Sequence, residues 1–195
     1  MGRTAPLPLM VDQVPIPVGS QYAHGRPYRV ARGAAGMDVY ELILNKSEML
    51  HAALVGATRE IDNLFSGKRD RYGAKPEGGW QKHLCGACGE KVAARFLDHY
   101  WSGNLGQFRA PDVAEIQIRT STSDTGDLIL HEEDKDNDRF ILVTGIGPRF
   151  TVRGWLFARE GKLRKWWRDP AKDRPAFFVP QSELHPMAEF ARRLP

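Results

Sequence analysis

The spacing of apolar residues changes partway along this chain, from the repeat of a helix to the repeat of a strand. That order favours helices packed on a sheet. Leu50, Leu54, Ala57, Ile61, Leu64 and Phe65 recur at helical spacing. Asn45, with Glu48 three residues on, marks the start of this helix, and Gly67 marks its end. A second helix is expected over about 86–101, with Ala93, Phe96, Leu97 and Tyr100 as its buried stripe. Beyond it the pattern favours strands at 113–120, 127–131, 139–144 and 150–158. The last two are joined through Gly145-Ile146-Gly147-Pro148, a hairpin signal. Residues 176–179 (AFFV) read as a short edge strand stopped by Pro180, and 182–194 as a last short helix. Helices first, then a mainly antiparallel set of strands, imply an α/β (α+β mixed) fold with helices packed on a central mixed sheet.

Ahead of this block, Pro6, Pro8, Pro15, Pro17 and Pro27 alternate with glycines and apolar residues. The division expected is an extended arm over 1–44 and a domain over 45–195. Leu7, Leu9, Met10, Val14, Ile16 and Val18 give the arm more apolar surface than a solvated tail needs. It is therefore expected to lie across the domain or a partner subunit, the latter giving a homo-oligomer. Residues 67–80 (GKRDRYGAKPEGGW) form a polar, glycine-rich connection between the helices.

At 195 residues and 42% apolar composition, one domain with one core is the natural size. The longest apolar runs, such as Phe140 to Val143, are strand-sized, so a membrane span is not expected. No basic segment followed by an apolar stretch opens the chain, so a secretion signal is not expected either. The net charge of +4 tolerates a polyanionic partner without demanding one. The only two cysteines, Cys85 and Cys88, are no disulfide framework, and a reducing cytoplasm is the default.

Chemistry concentrates between Cys88 and Thr120. Gly89 and Glu90 open an apolar stretch of helix, Pro111-Asp112 follows, and a strand alternates Glu115, Ile116, Gln117, Ile118, Arg119. Alternation puts Glu115, Gln117 and Arg119 on one face and the isoleucines on the other. An acid on a helix, an acid before a strand and a polar triplet on that strand can make a site for a divalent metal and a phosphate. The plainer alternative has Glu90 capping or pairing at a helix start, Asp112 making a turn with Pro111, and Arg119 ion-pairing with Glu115.

Other segments compete less well. Cys85-Gly86-Ala87-Cys88 lacks the second ligand pair of a structural zinc site and the preceding strand of a redox motif, so two small buried thiols are expected. Asp134-Lys135-Asp136-Asn137-Asp138 imitates the start of a calcium loop but has Arg139 where glycine is required, and reads as a solvated acidic turn. Residues 161–168 (GKLRKWWR) combine Lys162, Arg164, Lys165 and Arg168 with Trp166 and Trp167. Cations can contact phosphates and indoles can stack on bases; the alternative is a loop anchored by its tryptophans. The basic connection from Gly67 to Lys75 is open to the same two readings.

The pieces GACGEKVAARFL, PDVAEIQIRTS, DLILHEEDKD, FILVTG, FTVRGWLFARE and FFVPQSELHP, in this order over residues 47–187, resemble a bacteriophage-type set within the PD-(D/E)XK nuclease superfamily. The resemblance implies a restriction-endonuclease-like core that hydrolyses DNA with Mg²⁺ or Mn²⁺, in a host cytoplasm. Carried over by position, Glu90 is the helix acid, Asp112 the motif aspartate, and Gln117 stands at the strand acid. Arg119 stands at the lysine. The metal ligands so implied are Glu90, Asp112 and Gln117. A shifted reading uses Glu115-x-Gln117 instead. Gln117 brings no negative charge, and Arg119 cannot act as a base because it does not deprotonate. These departures open a second reading: the fold without the chemistry, serving as a nucleic-acid-binding or assembly protein.

Overall fold

The computed structural model describes residues 28–33, 36–66, 78–103, 111–170, 172 and 174–190. The first 27 residues of the expected arm and the 67–77 connection lie outside the described residues. From Arg29 onward the expected arm is already regular. Strands β1 (Arg29–Arg32) and β2 (Asp38–Ile43) form an antiparallel hairpin with Arg29 opposite Glu41. This corrects the expectation that regular structure begins near Asn45. The prolines and glycines that suggested an arm end at a turn, where Gly36 takes a φ of +73° that favours glycine.

Helix α1 (Lys46–Phe65) starts where the sequence marks it. The Asn45 side chain accepts the Glu48 N–H at 2.9 Å, and the Glu48 carboxylate accepts the Asn45 N–H at 2.8 Å, a reciprocal capping box. Helix α2 (Gly79–Phe96) begins seven residues before the expected 86 and ends five before 101. Tyr100, expected in its buried stripe, is exposed beyond the helix end. The two helices pack closely because α1 has no side chain at Gly56. A Cβ there would lie 2.8 Å from the His83 carbonyl and the Leu84 Cα.

The remaining strands are β3 (Ile116–Ser121), β4 (Leu128–Leu130), β5 (Arg139–Ile146), β6 (Arg149–Phe157), β7 (Trp167–Arg168) and β8 (Ala176–Val179). A five-stranded mixed sheet runs β1-β2-β6-β5-β3, parallel only between β3 and β5. A second, three-stranded sheet runs β4-β8-β7. Residues 176–179, expected at an edge, are thus the central strand of the small sheet. Short helices α3 (Ala158–Gly161) and α4 (Met187–Phe190), with single 3-10 turns at Arg164–Trp166 and Gln181–Glu183, complete the described elements.

The central sheet buries both faces. On one, Ile116, Ile118, Ile141, Val143, Val152 and Trp155 pack under α1 and α2 with Val55, Cys88 and Val92. On the other, Phe140, Leu142 and Leu156 meet Leu128, Leu130 and Val179 of the small sheet. Between Leu142 and Val143 the β5–β6 register shifts by one residue, leaving Arg153 as the extra residue of a bulge. Arg153 then reaches Thr144 Oγ1 at 2.7 Å and Asp124 at 2.9 Å. No helix among the described residues is long and apolar enough to cross a membrane.

Candidate functional site

Glu90 lies on α2 and is buried. A carboxylate there needs a partner, and α1 supplies one. Arg59 donates from Nη1 to Glu90 Oε1 at 2.5 Å and from Nη2 to Oε2 at 2.8 Å, a two-pronged contact, and Nη2 also reaches the Gly103 carbonyl at 2.7 Å. Trp101 Nε1 donates to Oε2 at 3.1 Å. Burial works against the charge on Arg59, but the bond and charge of Glu90, then the charge of Asp112, raise its pKa above the ordinary value. The adjacent Gly89 has its own reason. A Cβ there would lie 1.9 Å from the Thr120 hydroxyl, so glycine lets α2 settle onto β3.

Asp112 sits at the free edge of β3. Its Oδ2 accepts the Ile118 N–H at 2.7 Å, while the Asp112 and Val113 N–H groups donate to the Ile116 carbonyl at 3.1 and 3.2 Å. The residue thereby satisfies backbone groups that an edge strand leaves open. Its pKa is pushed up to about 6, first by burial and then by the charge of Glu90. The Ile118 N–H and the charges of Arg119 and Arg59 oppose that rise.

Glu90 and Asp112 are therefore within electrostatic reach, as the sequence pattern implied. The strand triplet does not join them as one set. Gln117 and Arg119 are in register with Phe140 and Leu142, whose side chains belong to the core against the small sheet. Glu90 belongs to the opposite, helix-covered face of the sheet, with Trp101 of that core as its partner. Arg119 spans both oxygens of Asp134 at 3.1 Å, donates from Nε to the Ile129 carbonyl at 3.1 Å, and lies 4.7 Å from the centre of the Phe140 ring. Glu115 precedes β3, is exposed, and approaches Arg139 at 3.7 Å rather than Arg119.

These residues do not fit a divalent metal. The Glu90 carboxylate is already spanned by the Arg59 guanidinium, and the third implied ligand, Gln117, is on the other face. Among the described residues no three His, Cys, Asp or Glu side chains gather as a metal-holding group. Arg59 escaped the sequence reading because it carries no motif. Its only signal is a charge on the side of α1 opposite the apolar stripe.

The basic, tryptophan-bearing segment is largely occupied by the chain itself. Lys162 Nζ donates to the Glu132 carbonyl and to Asp136 Oδ1 at 3.0 Å each, and to the Asp134 carbonyl. Arg168 pairs with Asp127 at 2.5 Å, and Lys165 lies 3.8 Å from Glu183. Trp166 is half-buried against the small-sheet core, and Trp167 packs against Phe177 with ring centres 4.6 Å apart and planes tilted by 58°. Arg164 is exposed. The acidic turn expected at 134–138 is thus closed around a lysine. Both cysteines are free thiols on α2, with Cys85 half-buried and Cys88 buried. The Cys88 pKa is raised to about 11 by burial and by Cys85, which disfavours the reactive thiolate.

Away from all these residues, a groove of about 990 Å³ opens between the 145–148 turn, the end of β2 and the start of α1, lined by Leu42, Met49, Pro148, Phe150, Arg95 and Asp124 among others. No family model matches the chain, and no curated protein or solved structure matches it either.

Proposed function

We propose that this chain is a nuclease-like protein of the PD-(D/E)XK type that no longer cuts, and that it acts by binding DNA or as an assembly protein. The observation that carries this reading is Arg59 on Glu90. A guanidinium holds its charge at every physiological pH, so it neutralises the helix acid permanently, where a metal would come and go. Gln117 supplies no charge, and Arg119 is committed to Asp134. Three of the carried-over positions serve the fold in place of the chemistry: Glu90 ties α2 to α1, Asp112 closes the β3 edge, and Arg119 ties β3 to the 131–138 loop.

The test is a cleavage panel of single-stranded, duplex and branched DNA and RNA, with Mg²⁺, Mn²⁺ or EDTA. The expected result is no cleavage in any lane, with a salt-sensitive shift of DNA where binding is the retained function. A competing reading, an active enzyme hydrolysing DNA with Mg²⁺ or Mn²⁺ in a host cytoplasm, is favoured by the nearness of Glu90 and Asp112. Metal-dependent cleavage by the purified chain that disappears in Asp112→Asn would establish that reading and overturn ours.

A further inference from the structure

The apolar stripe of α1 faces away from the protein. The helix packs chiefly on α2, with Ala52, Val55, Gly56 and Glu60 buried. On its opposite side Leu50, Leu54, Ile61, Leu64 and Phe65 are 61, 60, 43, 56 and 90% exposed. Single exposed leucines need no explanation, but an aligned row of five large apolar side chains on one helix does.

We propose that this face of α1 is a self-association surface, on which a second copy of the chain lays its own α1 antiparallel. The spacing Leu50, Leu54, Ala57, Ile61, Leu64 advances by four, three, four and three residues, the repeat by which two helices pack knobs into holes. The middle of the row is self-complementary. Turned end for end about Arg59, Leu54 meets Leu64 of the second copy and Ile61 meets its Ala57, large against small. The flanks carry no block of like charge to repel an identical helix: His51, Thr58 and Phe65 lie on one side, and Lys46, Ala53 and Glu60, which is buried beside His83, on the other. The area is sufficient. At about 150–200 Å² for a large apolar side chain, the five expose on the order of 500 Å² per copy. A pair would bury about 1,000 Å² from the stripe alone, the lower bound for a specific interface.

Sedimentation equilibrium of the full chain across a concentration series tests the proposal, together with two variants. The expected mass is twice that of the chain, falling to that of one chain in the double variant Leu54→Asp/Ile61→Asp with an unchanged far-ultraviolet spectrum. Thr58 flanks the seam one residue from the two-fold axis, so Thr58→Cys should cross-link to its own copy on oxidation, against a wild-type control containing Cys85 and Cys88. A chain that stays monomeric at every concentration overturns the proposal. So does a dimer indifferent to both aspartates. A monomer that the aspartates unfold also overturns it, because the stripe would then be covered by a segment of its own chain. Should the aspartates unfold a dimer, the Thr58→Cys cross-link decides, its formation supporting the pairing and its absence refuting it.

Discussion

Asp112 is where the physical cost of this arrangement is most visible. Its carboxyl has a pKa of about 6, against an ordinary value of 3.8. Between those two pH values the folded chain binds more protons than the unfolded one, so stability falls as pH rises through the window. The cost is absent below about pH 4 and complete above about pH 6, and a rise of that size corresponds to roughly 3 kcal/mol at most. Asp112→Asn keeps an oxygen for the Ile118 N–H and removes the buried charge. We expect the variant to be more stable than wild type by about 1–3 kcal/mol at about pH 7.5 and equal to it near about pH 3.5, read from urea unfolding at both pH values. A less stable variant at the higher pH would mean that the carboxylate is needed charged, as a partner for Arg59 and Arg119. Glu90 differs from Asp112 because its two oxygens accept three hydrogen bonds from Arg59 and Trp101, so burial leaves neither oxygen without a donor.

Between elements, the same pairing of charges joins the 131–138 loop to the end of α3. Lys162 Nζ is held by two backbone carbonyls and the Asp136 carboxylate, the sort of oxygen cage a metal ion would occupy in a calcium loop. Lys162→Met keeps the stem and removes all three donors. It should cost about 1–3 kcal/mol, with faster amide exchange confined to residues 131–138. Unchanged exchange there would mean that Arg119 on Asp134 and Arg159, bonded to Asn137 at 2.6 Å, hold the loop without the lysine. Elements with local signals were the ones legible in the sequence. The α1 start could be read because Asn45 and Glu48 act on each other across one turn, β3 because its polar and apolar residues alternate, and β5 because its continuous apolar run suits a strand covered on both faces. The hairpin β1–β2 could not, because Arg29–Arg32 alternates poorly and owes its strand state to pairing with Glu41 and its neighbours. The convergence of Glu90 and Asp112 could be read from order along the chain. The separation of Gln117 and Arg119 from them could not, because alternation defines two faces without saying which of them the helices cover.

Both cores share the same two strands, and this sets how the whole body should unfold. Ile141, Val143, Val152 and Trp155 serve the helix-covered face, and Phe140, Leu142 and Leu156, from the same β5 and β6, serve the small sheet. Neither layer can leave without stripping one face of those strands to water. The chain ordering adds to this: β4 is inserted between β3 and β5, and β7 and β8 follow β6, so the small sheet is tied to the large one at both ends. Separate melting of the small sheet would expose Phe140, Leu142 and Leu156 while gaining freedom for only a few short strands. One cooperative transition is therefore expected, with the near-ultraviolet signal of Trp155 and the far-ultraviolet helix signal changing together. Leu130 is fully buried in the small-sheet core, so Leu130→Ala should cost about 2–5 kcal/mol. The loss should appear as an earlier urea midpoint for both signals at an unchanged slope. A variant that shifts only part of the signal, or that splits the curve in two, would show the small sheet to be a separate unit, and the shared strands β5 and β6 would then not couple the two faces.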